Sequence, residues 1–489
     1  MTVDAEHAER IMQELYRMLP SVNELLLTER IARLTQAHPR DAVVSATRRA
    51  LEAIRSEIAQ GEHSHKMLAI RLADLPAGIE AELGSPFRFS LRPVINATGV
   101  ILHTNLGRAP LGTRAIEHLV EVAGGYSNLE FDLDSGDRGK RDVHVERLIL
   151  SLLAAQTGNH HIAETHRAII VNNCAAATFL TLHALAKGKE VLVSRGELVE
   201  IGGGFRIPEI LLASGALLKE IGTTNRTRLV DYEKAISPET ALILRVHHSN
   251  FSMEGFVERP SLRDLAELGH RSSVPIFEDQ GTGLLHPLET CGIPAEPTFY
   301  ASCTLGCDVI AASGDKLLGG PQCGILVGRK QYVNQIRKNA LFRTFRVDKL
   351  TYAALEGTLA AYLAGSADEI PVVRLLSLPA DEIRRRCEQV AGAIDSRRIS
   401  AEVVPVEGII GGGTAPRARL NSSAIALRDE NLDAAALLRA LRKQDPPIIA
   451  RIEEDRVLLD LRTVDPESDS YLARALGSLP VYPHPEAND

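Results

Sequence analysis

Six short apolar runs punctuate the middle of the chain: Ala168–Val171, Glu190–Ser194, Ala241–Val246, Val274–Phe277, Asp308–Ala312 and Gly324–Val327. Helical or loop sequence separates them. Apolar strands alternating with helices require a mainly parallel sheet covered on both faces, an α/β fold. Ligands of such sheets gather at the carboxyl ends of the strands, so the residues that follow each run are where chemistry is expected.

The last two runs enclose a loop that begins Ser313-Gly-Asp-Lys-Leu-Leu-Gly-Gly. Its one lysine, Lys316, stands three residues after Ser313, at a strand end and among small residues. Lost hydration there lowers an ammonium pKa toward a usable nucleophile. Such a lysine is the usual carrier of pyridoxal phosphate, although a loop lysine taken alone is ordinarily a solvated one. Asp279, read as lying just past the strand that ends at Phe277, projects into the same crevice. It can pair with a protonated pyridine nitrogen or simply cap the Gly281-Thr-Gly283 turn. Asn172-Asn-Cys-Ala-Ala-Ala-Thr178 leads from a strand into a helix, and its small side chains let N–H groups approach a phosphate. The same pattern serves routine packing.

No metal is expected. Neither His160-His161 nor His247-His248 has the spacing of a zinc site, and Cys303 with Cys307 has no second Cys pair to complete one. Gly411-Gly-Gly413 has no following Lys-Ser/Thr and reads as a flexible turn rather than a phosphate loop.

A length of 489 residues implies two or three domains. Residues 1–84 read as helices only: Ala5–Met18, Thr28–Gln36, Asp41–Gln60 with Asp41 as N-cap and Gly61 as stop, and a fourth through Leu68, Leu72, Leu75 and Ile79 interrupted at Pro76. Residues 85–350 form the expected catalytic domain, and residues 351–489 an α+β domain. The latter carries a helical stripe Ile383, Cys387, Val390 and Ile394, a strand Ala424–Leu427, a helix Leu432–Lys443, a hairpin joining Ile448–Ile452 to Val457–Leu461, a last helix within 466–478 and a loose end at 480–489. Residues 1–90 hold 11 basic and 13 acidic side chains, and the whole chain carries −8, so charge alone marks no nucleic-acid surface. Six cysteines in so long a chain are no disulfide framework, and neither a membrane span nor a signal peptide is evident. A cytoplasmic protein without membrane partners is expected.

The blocks Leu91-Arg-Pro-Val-Ile-Asn96, His103-Thr-Asn-Leu-Gly-Arg108, Val193–Gly202, Phe205-Arg-Ile-Pro208, Gly222–Thr227 and Ser313–Gln322 span most of residues 91–350. Through them the chain closely resembles the bacterial selenocysteine synthase family, the L-seryl-tRNA(Sec) selenium transferases. That resemblance implies a fold-type-I pyridoxal 5'-phosphate enzyme with Lys316 carrying the cofactor and Asp279 on the pyridine nitrogen. It implies Ser313, Asn173, Cys174, Ala175 and Ala176 as the phosphate cradle, and Asp315 as the residue that orients Lys316. Arg108, Arg343 and Arg346 would hold the anionic end of the selenium donor, selenophosphate, since guanidinium groups offer paired donors. The family pattern further implies a homo-oligomeric ring of dimers, a decamer, with Arg108 acting across a dimer interface and the N-terminal domain gripping tRNA. The reaction implied converts seryl-tRNA(Sec) to selenocysteinyl-tRNA(Sec) by β-elimination to aminoacryloyl-tRNA and addition of selenium. Two positions depart from the pattern: Phe277-Glu-Asp-Gln280 replaces an apolar approach to the Asp, and Cys174 replaces a common Asn. Two other readings remain open at this point: a related lyase acting on a free amino acid or amino sugar acid, and a non-catalytic RNA-binding protein.

Overall fold

The computed structural model describes residues 3–59, 65–84, 89–201, 204–288, 291, 293 and 296–479. Its largest sheet has seven strands: β1 (His166–Val171), β2 (Glu190–Ser194), β3 (Leu217–Ile221), β4 (Thr240–Val246), β5 (Ile276–Gly281), β6 (Val309–Ser313) and β7 (Gly324–Arg329). Their spatial order is β1-β7-β6-β5-β4-β2-β3. All run parallel except β7, which is antiparallel to both neighbours. Side chains alternate between two cores. Ala168 and Ile170 join Leu153, Leu265 and Leu355 on one face, while Ile169 and Val171 join Leu180, Leu244 and Phe277 on the other.

The six apolar runs all lie in this sheet. β3 has no such run because its residues stay exposed or half-exposed until Ile221. One expectation is corrected: Asp279 lies inside β5, not past its end. Its backbone pairs with Val246 on one side and Ala311 on the other, so the strand continues through a buried polar stretch, Glu278-Asp279-Gln280.

A second, five-stranded sheet is built from Ile399–Gly411, Leu420–Asp429, Arg451–Glu453, Arg456–Asp460 and, from far upstream, Val100–Leu102. Val100 and Leu102 pair in parallel with Ile409 and Gly411, and Ile95–Asn96 pairs with Ile448–Ile449. Residues 95–102 therefore hydrogen-bond with the C-terminal strands, although the expected boundary at 84/85 groups them with the large sheet. Gly411 is no flexible turn. It ends a strand at φ +79°, and a Cβ there would meet the Val100 side chain and, at 3.0 Å, the Leu102 carbonyl oxygen.

The N-terminal helices are Val3–Arg17, Val22–Leu27, Glu29–Ala37, Arg40–Ala59 and His65–Gly84. Val22–Leu27 escapes a periodicity reading because it is short; a capping box between Ser21 and Glu24 starts it. Asp41 is not an N-cap, since the helix already begins at Arg40; it sits in the first turn, where a carboxylate faces unpaired N–H groups. Pro76 does not interrupt its helix either. Leu68, Leu75, Ile79 and Leu83 on both sides of it are buried with Ile31, Leu51 and Ile54, and that shared core keeps the two halves in line. The expected stop at Gly61 and the end at 480–489 lie outside the described residues.

Candidate active site

The site forms where the carboxyl ends of β1, β4, β5 and β6 meet. Asp279, Ser313, Asp315 and Lys316 are all buried there, with Lys316 only 8% exposed. Gly281, at the end of β5, has φ +72°, and no side chain fills the space beside it. A Cβ at that position would stand 3.8 Å from Asp279 Oδ1, 3.8 Å from Lys316 Nζ and 3.9 Å from Ser249 Oγ. The carboxylate, amine and hydroxyl thus surround one small hollow, and the positive φ rather than any close contact is what favours glycine beside it.

Asp279 is held from the helix Cys174–Ala186. Thr178 Oγ1 donates to Asp279 Oδ2 at 2.9 Å, and the Cys174 thiol approaches Oδ1 at 3.5 Å. Burial pushes the Asp279 carboxyl above the ordinary range, while the Thr178 hydrogen bond and the Lys316 charge pull the other way. Burial, then the Asp279 charge, raises the Cys174 thiol, so it is a neutral donor rather than a nucleophile. Thr178, read from the sequence only as the end of the Asn172–Thr178 stretch, lies one helical turn beyond Cys174 and so shares its face.

Asn173 is the N-cap of this helix, and its side chain accepts from the Ala176 amide at 2.8 Å. The amides of Cys174 and Ala175 have no partner among the described residues, so they are the ones free to meet an anion. Gly324 of β7 permits the arrangement, because a Cβ there would overlap the Asn173 carbonyl.

Arg108 Nη1 pairs with Asp315 Oδ2 of the same chain at 2.7 Å, and the Ala109 amide reaches the Asp315 carbonyl at 3.3 Å. Arg108 adopts φ +63°, an uncommon conformation for a residue with a side chain. The sequence-derived anion set is not brought together in one chain. Arg346 Nη1 lies 3.2 Å from Glu130, which also binds Arg138 and Arg141; these hydrogen bonds hold the Glu130 carboxyl at about 2. Arg343 is exposed and forms no ion pair among the described residues. Their segment nevertheless touches the site, since the Asn172 amide donates to the Phe345 carbonyl at 3.0 Å.

His247 and His248 have partners other than a metal ligand set. His247 Nε2 meets Glu296 at 2.9 Å, and His248 Nε2 meets the Gly196 carbonyl at 3.0 Å. Among the described residues no three His, Cys, Asp or Glu side chains are grouped to hold a metal ion. Sequence reasoning also missed Glu197 and Arg245, a buried pair at 2.6 Å; Glu197 further accepts from the Val246 amide at 3.1 Å and so secures the end of β4.

A family model described as L-seryl-tRNA selenium transferase matches residues 94–465, well over half of the chain. The chain belongs to the L-seryl-tRNA selenium transferase family. A second model, selenocysteine synthase N terminal, matches residues 16–55. Among curated proteins named L-seryl-tRNA(Sec) selenium transferase, that of Aquifex aeolicus is 42% identical over 96% of this chain and 99% of its own length. That of Moorella thermoacetica is 44% identical over 95% and 97%, and that of Geobacter sulfurreducens 42% over 92% and 96%. Among solved structures, D-glucosaminate-6-phosphate ammonia-lyase superposes with a TM-score of 0.54 at 20% identity, covering 82% of this chain and 97% of that one. This L-seryl-tRNA selenium transferase family member therefore shares the α/β fold of that ammonia-lyase, with Lys316 and Asp279 at the end of the sheet where ligands of such folds gather.

Proposed function

We propose that the chain converts seryl-tRNA(Sec) to selenocysteinyl-tRNA(Sec) with pyridoxal phosphate as cofactor and selenophosphate as selenium donor. The observation that carries this reading is the hollow at Gly281, enclosed by Lys316, Asp279 and Ser249 within a chain of this family. The donor set fits the cofactor: an amine for its carbonyl carbon, a carboxylate for its pyridine nitrogen, and free helix amides beside Ser313 for its phosphate. When bound, pyridoxal phosphate supplies an electron sink for charge at the seryl Cα and so eases loss of the β-hydroxyl. Lys316 carries the cofactor and, once released, holds and returns the Cα proton through Nζ. Asp279, oriented by Thr178 and Cys174, keeps a proton at the pyridine nitrogen. Asp315 is fixed by Arg108 and positions the adjacent Lys316.

Arg108, Arg343 and Arg346 serve the anionic donor, with Glu130 holding the last of them until that ligand arrives. Residues 1–84 grip the tRNA body, residues 85–350 bind the cofactor, and residues 351–489 form a smaller α+β domain. A ring of dimers, ten chains in all, is the working assembly, and the cytoplasm its setting. Among the described residues no helix is long and apolar enough to cross a membrane.

The test is incubation of purified protein with seryl-tRNA(Sec) and selenophosphate, followed by analysis of the aminoacyl-tRNA. Formation of selenocysteinyl-tRNA is expected. Turnover of free amino acids without turnover of the tRNA would favour a lyase instead. Lys316→Ala should abolish turnover and cofactor mass after borohydride reduction, with tRNA retention on filters nearly intact. Deleting residues 1–84 should abolish tRNA retention and spare the cofactor mass.

A further inference from the structure

Beside the catalytic hollow lies a cleft of about 330 Å³ that the proposed chemistry does not use. Its walls come from both domains: His248, Phe251, Met253 and Arg259 after β4, and the Ala415–Ala418 loop of the C-terminal domain, which carries Arg417. We propose that this cleft receives the 3′-terminal adenosine to which the seryl group is esterified, an inference that rests on seryl-tRNA being the substrate.

Position comes first. The His247 amide donates to the Asp279 carbonyl at 3.0 Å, and Ser249 Oγ borders the same hollow as Lys316 Nζ. Residues 247–249 are thus the wall common to hollow and cleft. A seryl group at Lys316 has its ester leaving over this wall, and the attached nucleoside then falls into the cleft.

Chemistry agrees. The rings of His248 and Phe251 lie with centroids 4.5 Å apart and planes tilted by 36°, a two-ring platform of the kind on which single-stranded bases stack. Burial and the Arg259 and Arg245 charges hold the His248 imidazole at about 4, so it is neutral near pH 7. With its Nε2 facing the Gly196 carbonyl at 3.0 Å, its Nδ1 remains an acceptor. Arg259 and Arg417 supply guanidinium groups for a phosphate. Of the acidic groups nearby, Glu296 meets His247 and Glu254 lies 4.0 Å from Arg417, while the charges of Glu197 and Glu278 act on Arg259. The volume lies at the lower end of the range for organic ligands, which suits one nucleoside rather than a longer segment.

The cleft is also built rather than incidental. Arg417 Nη2 donates to the Met253 carbonyl at 3.0 Å, tying the two loops together. Gly413, at φ +66°, lets its loop approach Asn250, whose Cβ would lie 3.4 Å from an added Cβ.

The test compares wild-type holoenzyme with Phe251→Ala, Phe251→Tyr and Arg417→Ala, using seryl-tRNA kinetics and equilibrium binding of AMP. Phe251→Ala should raise KM for seryl-tRNA and Kd for AMP by about tenfold or more, the usual effect of losing one base–aromatic stack. Phe251→Tyr should restore both. Arg417→Ala, at an exposed position where folding is not at risk, should weaken AMP binding severalfold; cofactor absorbance reports that each variant is folded. Unchanged KM in both alanine variants overturns the inference. So does inorganic phosphate competing as well as AMP, which would mark an anion site only. If the wild type binds AMP through Phe251 yet never turns over seryl-tRNA, the substrate reading falls while a nucleotide cleft stands.

Discussion

Asp279 and Glu130 show how opposite surroundings give two carboxylates opposite pH behaviour. Burial raises Asp279, so its ionisation opposes folding of the cofactor-free protein; that cost appears as pH rises from the unfolded pKa toward the folded one. Asp279→Asn should flatten this part of the stability profile, read from urea midpoints across the acid range. Glu130 is depressed from 4.5 to about 2 by Arg141 and Arg138, so its contribution is full above the unfolded pKa and lost as pH falls through about 2. Glu130→Gln should therefore be less stable than wild type near neutrality and nearly equal near pH 2. Thr178→Val removes a hydrogen bond to a carboxylate, an interaction of about 1.5–3 kcal/mol. Cofactor affinity should fall by about tenfold or more in an absorbance titration. Lys316 was legible because small residues and two apolar runs frame it. Thr178 was not, because a threonine inside a helix carries no signal until the strand it faces is known. Ser249 and Gly281 were equally hidden, since the hollow they line exists only when β4, β5 and β6 stand side by side.

Elements were legible to the extent that both their faces are buried. β1, β4, β6 and β7 announce themselves as apolar runs, whereas the edge strand β3 does not. The strand Ile399–Gly411, with exposed positions scattered along it, was missed for the same reason. β5 was found but cut short, because Glu278-Asp279-Gln280 looks like loop sequence, although these residues are buried in the sheet. Polar residues inside a central strand are tolerable here because Asp279 is hydrogen-bonded from the neighbouring helix and Gln280 Nε2 donates to the Pro297 carbonyl at 2.8 Å. The contact between β7 and the Asn173 turn yields an element-scale prediction. Gly324→Ala would force strand and N-cap apart, a form of overpacking that costs about 1–3 kcal/mol. The urea midpoint should drop, and cofactor phosphate should be held less tightly. An unchanged midpoint would mean that the turn has room to move.

At the scale of the whole molecule, sequence texture predicts a helical start, an α/β centre and an α+β end. It does not predict the pairing of residues 95–102 with the C-terminal sheet. Nothing in a local window encodes a partner about 300 residues away, as Ile409 is from Val100. A chain starting at residue 89 should therefore keep the C-terminal domain folded, and one starting at residue 103 should lose it, as judged by protease resistance of fragments from the 399–479 region. The same pairing has a consequence for synthesis. At about 5–20 residues per second, Val100 leaves the ribosome roughly 15–60 s before Ile409 does. The nascent chain must therefore carry Ile95–Leu102 unpaired while the seven-stranded sheet is completed behind it. The sheet that holds Val100 and Ile409 thus becomes whole only after the seven-stranded sheet has been synthesised.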